Sequence, residues 1–314
     1  MNTFKALLER EYWEHRGAFR STPLITGIVI LVLMLIGVLL SYKFENEFSG
    51  DGIISYGVAK FSEMPVENIS LISDGIMLST GSVYHMILFV VMFFFLLGSL
   101  YDDRKDGSIL FWKSLPVSDL QTVLSKIVMA IVVVPLMYTA ILILAHIAIY
   151  ILLSLIMLVN GQNPFTTLIS NTNYLSNWWA FIVGCFAQAI WALPIYGWLM
   201  LCSSWSKRRP FLWAVLVPMI LTFLWGTLNA FIDFNFREYA LFKDIGIQLS
   251  KAISPFGSVA DETFSMGYQK GDSAGFLIST MANSLWQTRH IYALAFAAVT
   301  IGLSVYLRRY RNTT

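Results

Sequence analysis

Six stretches of this chain, residues 22–42, 83–101, 127–159, 178–202, 211–232 and 291–307, contain no Asp, Glu, Lys or Arg. Each is long enough to cross a hydrocarbon core of about 30 Å as an α-helix. Inside such a core every backbone N–H and C=O must find a partner within the protein, and for separate apolar runs that requirement leaves only helices. The expectation is therefore an all-α membrane protein, one domain over 1–314 with six transmembrane helices. Hydrophobic residues make up 57% of the chain and charged residues 13%, which excludes the balance of a soluble domain. The net charge of +2 gives nucleic acid no basis as a partner. The run 127–159 is too short for two crossings and has no turn signal inside it, so it reads as one long helix, tilted or kinked at Pro135.

Basic residues near span ends are retained on the cytoplasmic side. Segments on one side of the six runs hold fourteen: Lys5, Arg10, Arg16 and Arg20; Arg104, Lys105, Lys113 and Lys126; Lys207, Arg208 and Arg209; Arg308, Arg309 and Arg311. The opposite segments hold seven, diluted over longer loops. Both termini are therefore expected in the cytoplasm. The N-terminal stretch carries too many charges for a cleavable signal peptide. The outer loops 43–82 and 233–290 are rich in turn-forming Gly, Ser and Asp. Within the second, 239–253 and 276–286 have the spacing of short helices lying at the outer membrane face. Cys185 and Cys202 lie in or at the end of one apolar run and read as buried small residues.

Residues 1–21 read as an amphipathic helix in the membrane interface. At about 100° per residue, Phe4, Leu7, Leu8, Tyr12, His15 and Phe19 share one arc and Lys5, Glu9, Arg10, Glu14 and Arg16 the other, with Glu11 and Trp13 misplaced.

A catalytic site in the bilayer would need costly polar groups at depth, and no Asp or Glu falls in the core of any of the six runs. There is no HExxH, GxGxxG, CxxC or GxxxxGK[ST], so the chain has no metal-site motif and no phosphate-cradling loop of its own. It is not expected to be an enzyme or to bind a cofactor. His146, Gln188 and Asn229 are polar groups within the runs. Each could line a substrate path or, as most such residues do, hydrogen-bond a neighbouring helix. Ala180 with Gly184 and Ala293 with Ala297 provide small faces for close helix packing.

The connection 102–126 differs in kind. Asp102 to Arg104 make a charged exit from the second run, Gly107 and Ser108 allow a turn, and Ile109, Leu110, Phe111 and Trp112 form an apolar cluster with no membrane run to join. Pro116 stops a helix and Ser118 or Asp119 can cap the next. A short helix across the cytoplasmic face fits this order, its aromatic residues serving as interface anchors or dipping into interfacial lipid.

EYWEHRGAFRSTP before the first run, DDRKDGSILFWKSLPVSDLQTVLSK after the second, six spans and a large outer loop before the last together resemble the ABC-2 type permease subunits of bacterial ATP-binding cassette transporters. The specific part of the resemblance lies in the first twenty residues and the second-to-third connection. It implies that Lys105 to Lys113 form a coupling helix docked on a separate ATPase subunit, with Asp102, Asp103, Arg104, Lys105, Asp106, Gly107, Ser108, Phe111, Trp112, Lys113 and Pro116 making that surface. It further implies ATP and magnesium in the partner rather than here, and pairing with a second permease copy or paralogue. The setting would be the lipids of the inner membrane, the activity export of an amphiphilic substrate, and the outer helices of 233–290 a gate.

Overall fold

A computed structural model describes residues 3–48, 53–232, 239–256, 273–285 and 288–310, with side chains except those of 44–48, 53, 229–232, 239–245, 288 and 289. Among the described residues there is no strand. The helices in chain order are α1 (Thr3–Glu14), α2 (Thr22–Phe48), α3 (Ile53–Ser62), α4 (Val66–Ser99), α5 (Tyr101–Lys105), α6 (Ser108–Ser114), α7 (Asp119–Val128), α8 (Val134–Val159), α9 (Tyr174–Trp205), α10 (Pro210–Ile232), α11 (Tyr239–Ile253), α12 (Ser273–Leu285) and α13 (Thr288–Tyr310). Six helical segments are long and apolar enough to cross a membrane: Gly17–Lys43, Val66–Lys105, Asp119–Val159, Tyr174–Trp205, Pro210–Leu228 and His290–Tyr310. The chain is a multi-pass, all-α membrane protein.

The run expected to be one long helix is continuous, and Pro135 is accommodated without a break. A π-helical turn, Met129–Val133, joins α7 to α8, and the Val134 N–H reaches back to the Met129 carbonyl. The wider turn comes where proline lacks a donor and its ring crowds the carbonyl four residues back. A second π-helical turn, Gly17–Ser21, precedes Pro23 and carries the N-terminal helix into α2.

Three expectations need correction. Residues 66–82, read as part of a loop, are helical: α4 begins at Val66. Ile69, Ser73, Met77, Thr80, Gly81, Tyr84 and Leu88 are buried at helical spacing, but Ser, Thr and Gly on that face hide the apolar period. The 34 residues of α4 span about 50 Å at the α-helical rise, more than a bilayer core requires. Its distal third packs against α9 in protein rather than lipid. Consequently an acidic residue does lie inside a membrane-candidate helix. Asp74 is buried, and Asn177 Nδ2 donates to its Oδ1 at 2.6 Å.

The second correction concerns residues 1–21. The apolar side faces protein: Leu7 of α1 is buried, Leu8 and Tyr12 pack on the core, and Phe19 in the π-helical turn that follows is buried and meets the Phe95 ring edge-on at 5.1 Å. The third concerns α11 and α12, which enter the bundle instead of lying across its end. Ala252, Phe256, Leu277 and Met281 belong to the main core, and Gln188 Nε2, halfway along α9, donates to the Ala252 carbonyl at 2.7 Å.

The hub is α9, which touches α4, α8, α10, α11, α12 and α13. Trp191, Tyr196 and Phe181 on it are fully buried. Gly197 lets α13 approach: a Cβ there would meet the Ala297 carbonyl at 3.2 Å. By contrast α2 and α10 lie on the outside, apolar on every side, as helices facing lipid or another membrane helix must be.

Candidate functional site

At one end of the bundle, α1, α5, α6, α7, the last turn of α13 and the α9–α10 turn converge. Among the described residues, the buried acids Glu11 and Asp103 share this end with the buried cations Arg104, Lys126 and Arg308. Glu11, one of the two residues misplaced on the α1 wheel, is fully buried and accepts from Lys126 Nζ at 2.8 and 3.0 Å through its two oxygens. Lys126 is itself fully buried near the end of α7. A helical wheel assigns faces by hydrophobicity, and a buried acid with a buried base across 115 residues escapes it.

Asp103 is the second node. Its Oδ1 accepts from Arg10 Nη2 at 2.8 Å and its Oδ2 from Arg308 Nη1 at 3.1 Å. Arg308 extends the chain by donating through Nε to Asp119 Oδ1 at 3.1 Å. Burial works against the charge of Arg10, but Asp103 and then Glu11 hold its pKa above the ordinary arginine value. The Arg10 guanidinium also lies over the Trp112 ring, 3.8 Å from its centroid, a cation–π contact with α6. Lys113 Nζ donates to the Arg309 carbonyl at 3.1 Å. Three helices distant in sequence are thus joined through α5 and α6.

Arg104 performs a different task. Its guanidinium donates to the carbonyls of Ser203 and, at 3.0 Å, Ser206, satisfying acceptors that the end of α9 leaves without intrahelical partners. Ser203 Oγ returns the contact by accepting from the N–H groups of Leu100 and Tyr101. Gly107, at φ 71°, turns the chain from α5 into α6, a conformation open to glycine at no steric cost. A capping box of Ser118 and Gln121 starts α7.

The residues singled out in 102–116 therefore divide. Asp103 and Arg104 are buried and bound within the chain, and Trp112 and Lys113 are half-buried against α1 and α13. Asp102, Lys105, Asp106, Gly107 and Pro116 are exposed. Phe111 is 61% exposed and its neighbour Leu110 57%. Leu110 joins Phe111 outside, while Ile109 is fully buried; sequence reading treated these as one cluster, and helical phase separates them.

Of the three polar groups read inside the apolar runs, two make contacts between helices. Gln188 Nε2 donates to the His85 and Ala252 carbonyls at 2.9 and 2.7 Å, and its Oε1 lies 2.9 Å from His85 Nδ1. It joins α4, α9 and the end of α11. His85, which sequence reading passed over, is sandwiched by Phe181 and Phe256 at 4.3 and 4.8 Å. His146 Nδ1 faces Trp178 Nε1 at 3.2 Å. Asn229 has its side chain outside the described residues. No family model, no characterised protein and no solved structure matches the chain.

Proposed function

We propose that the chain is the permease subunit of a bacterial ATP-binding cassette transporter. It would sit in the inner membrane with both termini cytoplasmic, pair with a second copy or paralogue, and export an amphiphilic lipid, peptide or drug-like substrate. The observation that carries this reading is the pair Leu110 and Phe111, apolar and outward on a short helix whose base is held by buried ion pairs. Exposed apolar anchors on a rigid support are what a docking partner uses. Asp102, Lys105 and Asp106 beside them would steer the approach of a separate ATPase subunit, which would bind ATP and magnesium. Asp103, Arg104 and Trp112 then act by positioning α6 rather than by touching the partner.

Force applied at α6 would pass through Asp103 and Arg308 to α13 and through Arg10 to α1. Because α13 lies along α9, movement at this end would reach the place where Gln188 holds α11. A second reading, a membrane component that transmits ATPase work to an outer complex without moving a substrate, is favoured by the use of Gln188 and His146 in helix contacts.

Copurification from native membranes tests the assignment. A nucleotide-binding subunit should accompany the wild-type chain, and the chain alone should hydrolyse no ATP. Leu110→Ala with Phe111→Ala should weaken capture by about 2 kcal/mol or more, the scale of an interface hot spot, at unchanged folded yield. Wild-type capture by the well-folded double variant would refute the docking role. Movement of a substrate in proteoliposomes separates the two readings.

A further inference from the structure

We propose that the α9–α10 turn and the helix surface beside it form a binding site for an anionic phospholipid. The turn is Ser206 to Arg209, and it joins two membrane-candidate helices at the end of the bundle that carries the ion-pair network. Its three cations are exposed and consecutive, whereas Arg16, Arg20 and Lys105, also exposed at that end, stand singly. Arg10, Arg104, Lys126 and Arg308 are spent on carboxylates or carbonyls. Among the described residues the exposed side chains of Lys207, Arg208 and Arg209 make no hydrogen bond or ion pair. No Asp or Glu occurs in the sequence between Asp119 and Asp233, so no acid on α9 or α10 offsets them.

Arg209 has φ 53°, rare for a residue with a side chain and doubly unfavourable before Pro210. A glycine would relieve it, yet the position holds a third cation. Strain retained at a charged, exposed turn points to a ligand.

The surface beside the turn grades from charged to apolar, as a phospholipid does along its length. Trp205 and Trp213 flank the cations, with ring centroids 4.9 Å apart in an edge-to-face pair, and they are 42% and 44% exposed. Tryptophan at this boundary occupies headgroup depth. Phe94 of α4 and Phe211 of α10 are stacked, their rings 10° from parallel, and both face outward. The phosphate would lie against the three cations, the glycerol backbone at the tryptophans and an acyl chain along the phenylalanines. A second protein chain covering α10 would account for the apolar surface, but a phospholipid matches both that surface and the three exposed cations beside it. This inference does not depend on the transporter assignment.

The test titrates the purified full-length chain in neutral detergent with phosphatidylglycerol or phosphatidylcholine and counts bound lipids by native mass spectrometry. Phosphatidylglycerol should bind with preference, and the preference should fall with salt. Lys207→Gln, Arg208→Gln and Arg209→Gln together should lower its affinity about tenfold or more and leave phosphatidylcholine binding unchanged. Lys5→Gln, Arg16→Gln and Arg20→Gln, which remove equal charge at the same end, should have no such effect. Arg209→Gly guards against a folding failure: it should raise the melting temperature by relieving φ while lowering phosphatidylglycerol affinity severalfold. Equal losses in the two triple variants would show a diffuse field and overturn the site. So would absence of any phosphatidylglycerol preference in the wild type, or a turn variant that keeps its lipid but loses self-association or capture of a protein subunit.

Discussion

Glu11 lies on the apolar side of its helix because Lys126 is there to meet it. Two charges removed from water contribute little net stability as a pair, yet removing one strands the other at a cost of about 3–5 kcal/mol. Glu11→Gln should therefore lower the melting temperature in detergent sharply. Glu11→Leu with Lys126→Met should restore most of the loss, since an apolar pair of similar volume removes both desolvation costs. If the double variant unfolds as early as the single one, packing rather than charge is what Glu11 supplies. Asp103, shared between Arg10 and Arg308, follows the same logic, with the difference that its loss frees two cations on separate helices.

Among the helices, the close approaches are where the sequence has least tolerance. A Cβ at Gly184 would come within 2.8 Å of His85 Nε2 and 3.0 Å of Phe256. His85 cannot retreat, because Phe181 packs against its other side and Gln188 holds its Nδ1. Gly184→Ala should cost about 1–3 kcal/mol, the usual range for overpacking, and the damage should be local. Hydrogen exchange in residues 246–253 of α11 should rise while α7 and α8 keep their protection. Gly37, whose added Cβ would meet nothing within 4 Å, is the control on an outer helix, and Gly37→Ala should be neutral or stabilising.

For the molecule as a whole, the basic residues predict which end is cytoplasmic, and the fold places the network at that same end. With Cys185 and Cys202 replaced by Ala, an impermeant thiol reagent applied to intact cells should label Ser62→Cys and Gln162→Cys, and should label Ser108→Cys and Lys207→Cys only after lysis. Labelling of the second pair in intact cells would reverse the orientation. The outside position of α2 and α10 leaves two wide apolar surfaces, so association of the chain should be sensitive to substitutions on those helices and insensitive to changes on α9, whose sides are already covered by neighbours.

The six helices long and apolar enough to cross a membrane were legible in the residues alone, because a charge-free run of sufficient length has few alternatives to a helix in lipid, and residues 239–253 appear as α11 with the bounds their spacing predicts. The start of α7 was narrowed in the same way to a cap at Ser118 or Asp119, and the structure selects Ser118, boxed with Gln121. Contacts between distant parts of the chain could not be read in this way. No local rule pairs Glu11 with Lys126 or Asp74 with Asn177, and none says that Trp112 turns inward to Arg10 while Phe111 points out. Local spacing likewise placed helices over 239–253 and 276–286 at the outer face, whereas the backbone carbonyl of Ala252 and the amide of Gln188 meet inside the bundle. Apolar length is a property of one segment and was settled by sequence; charge compensation and close packing are properties of pairs, and only the tertiary structure brings the pairs together.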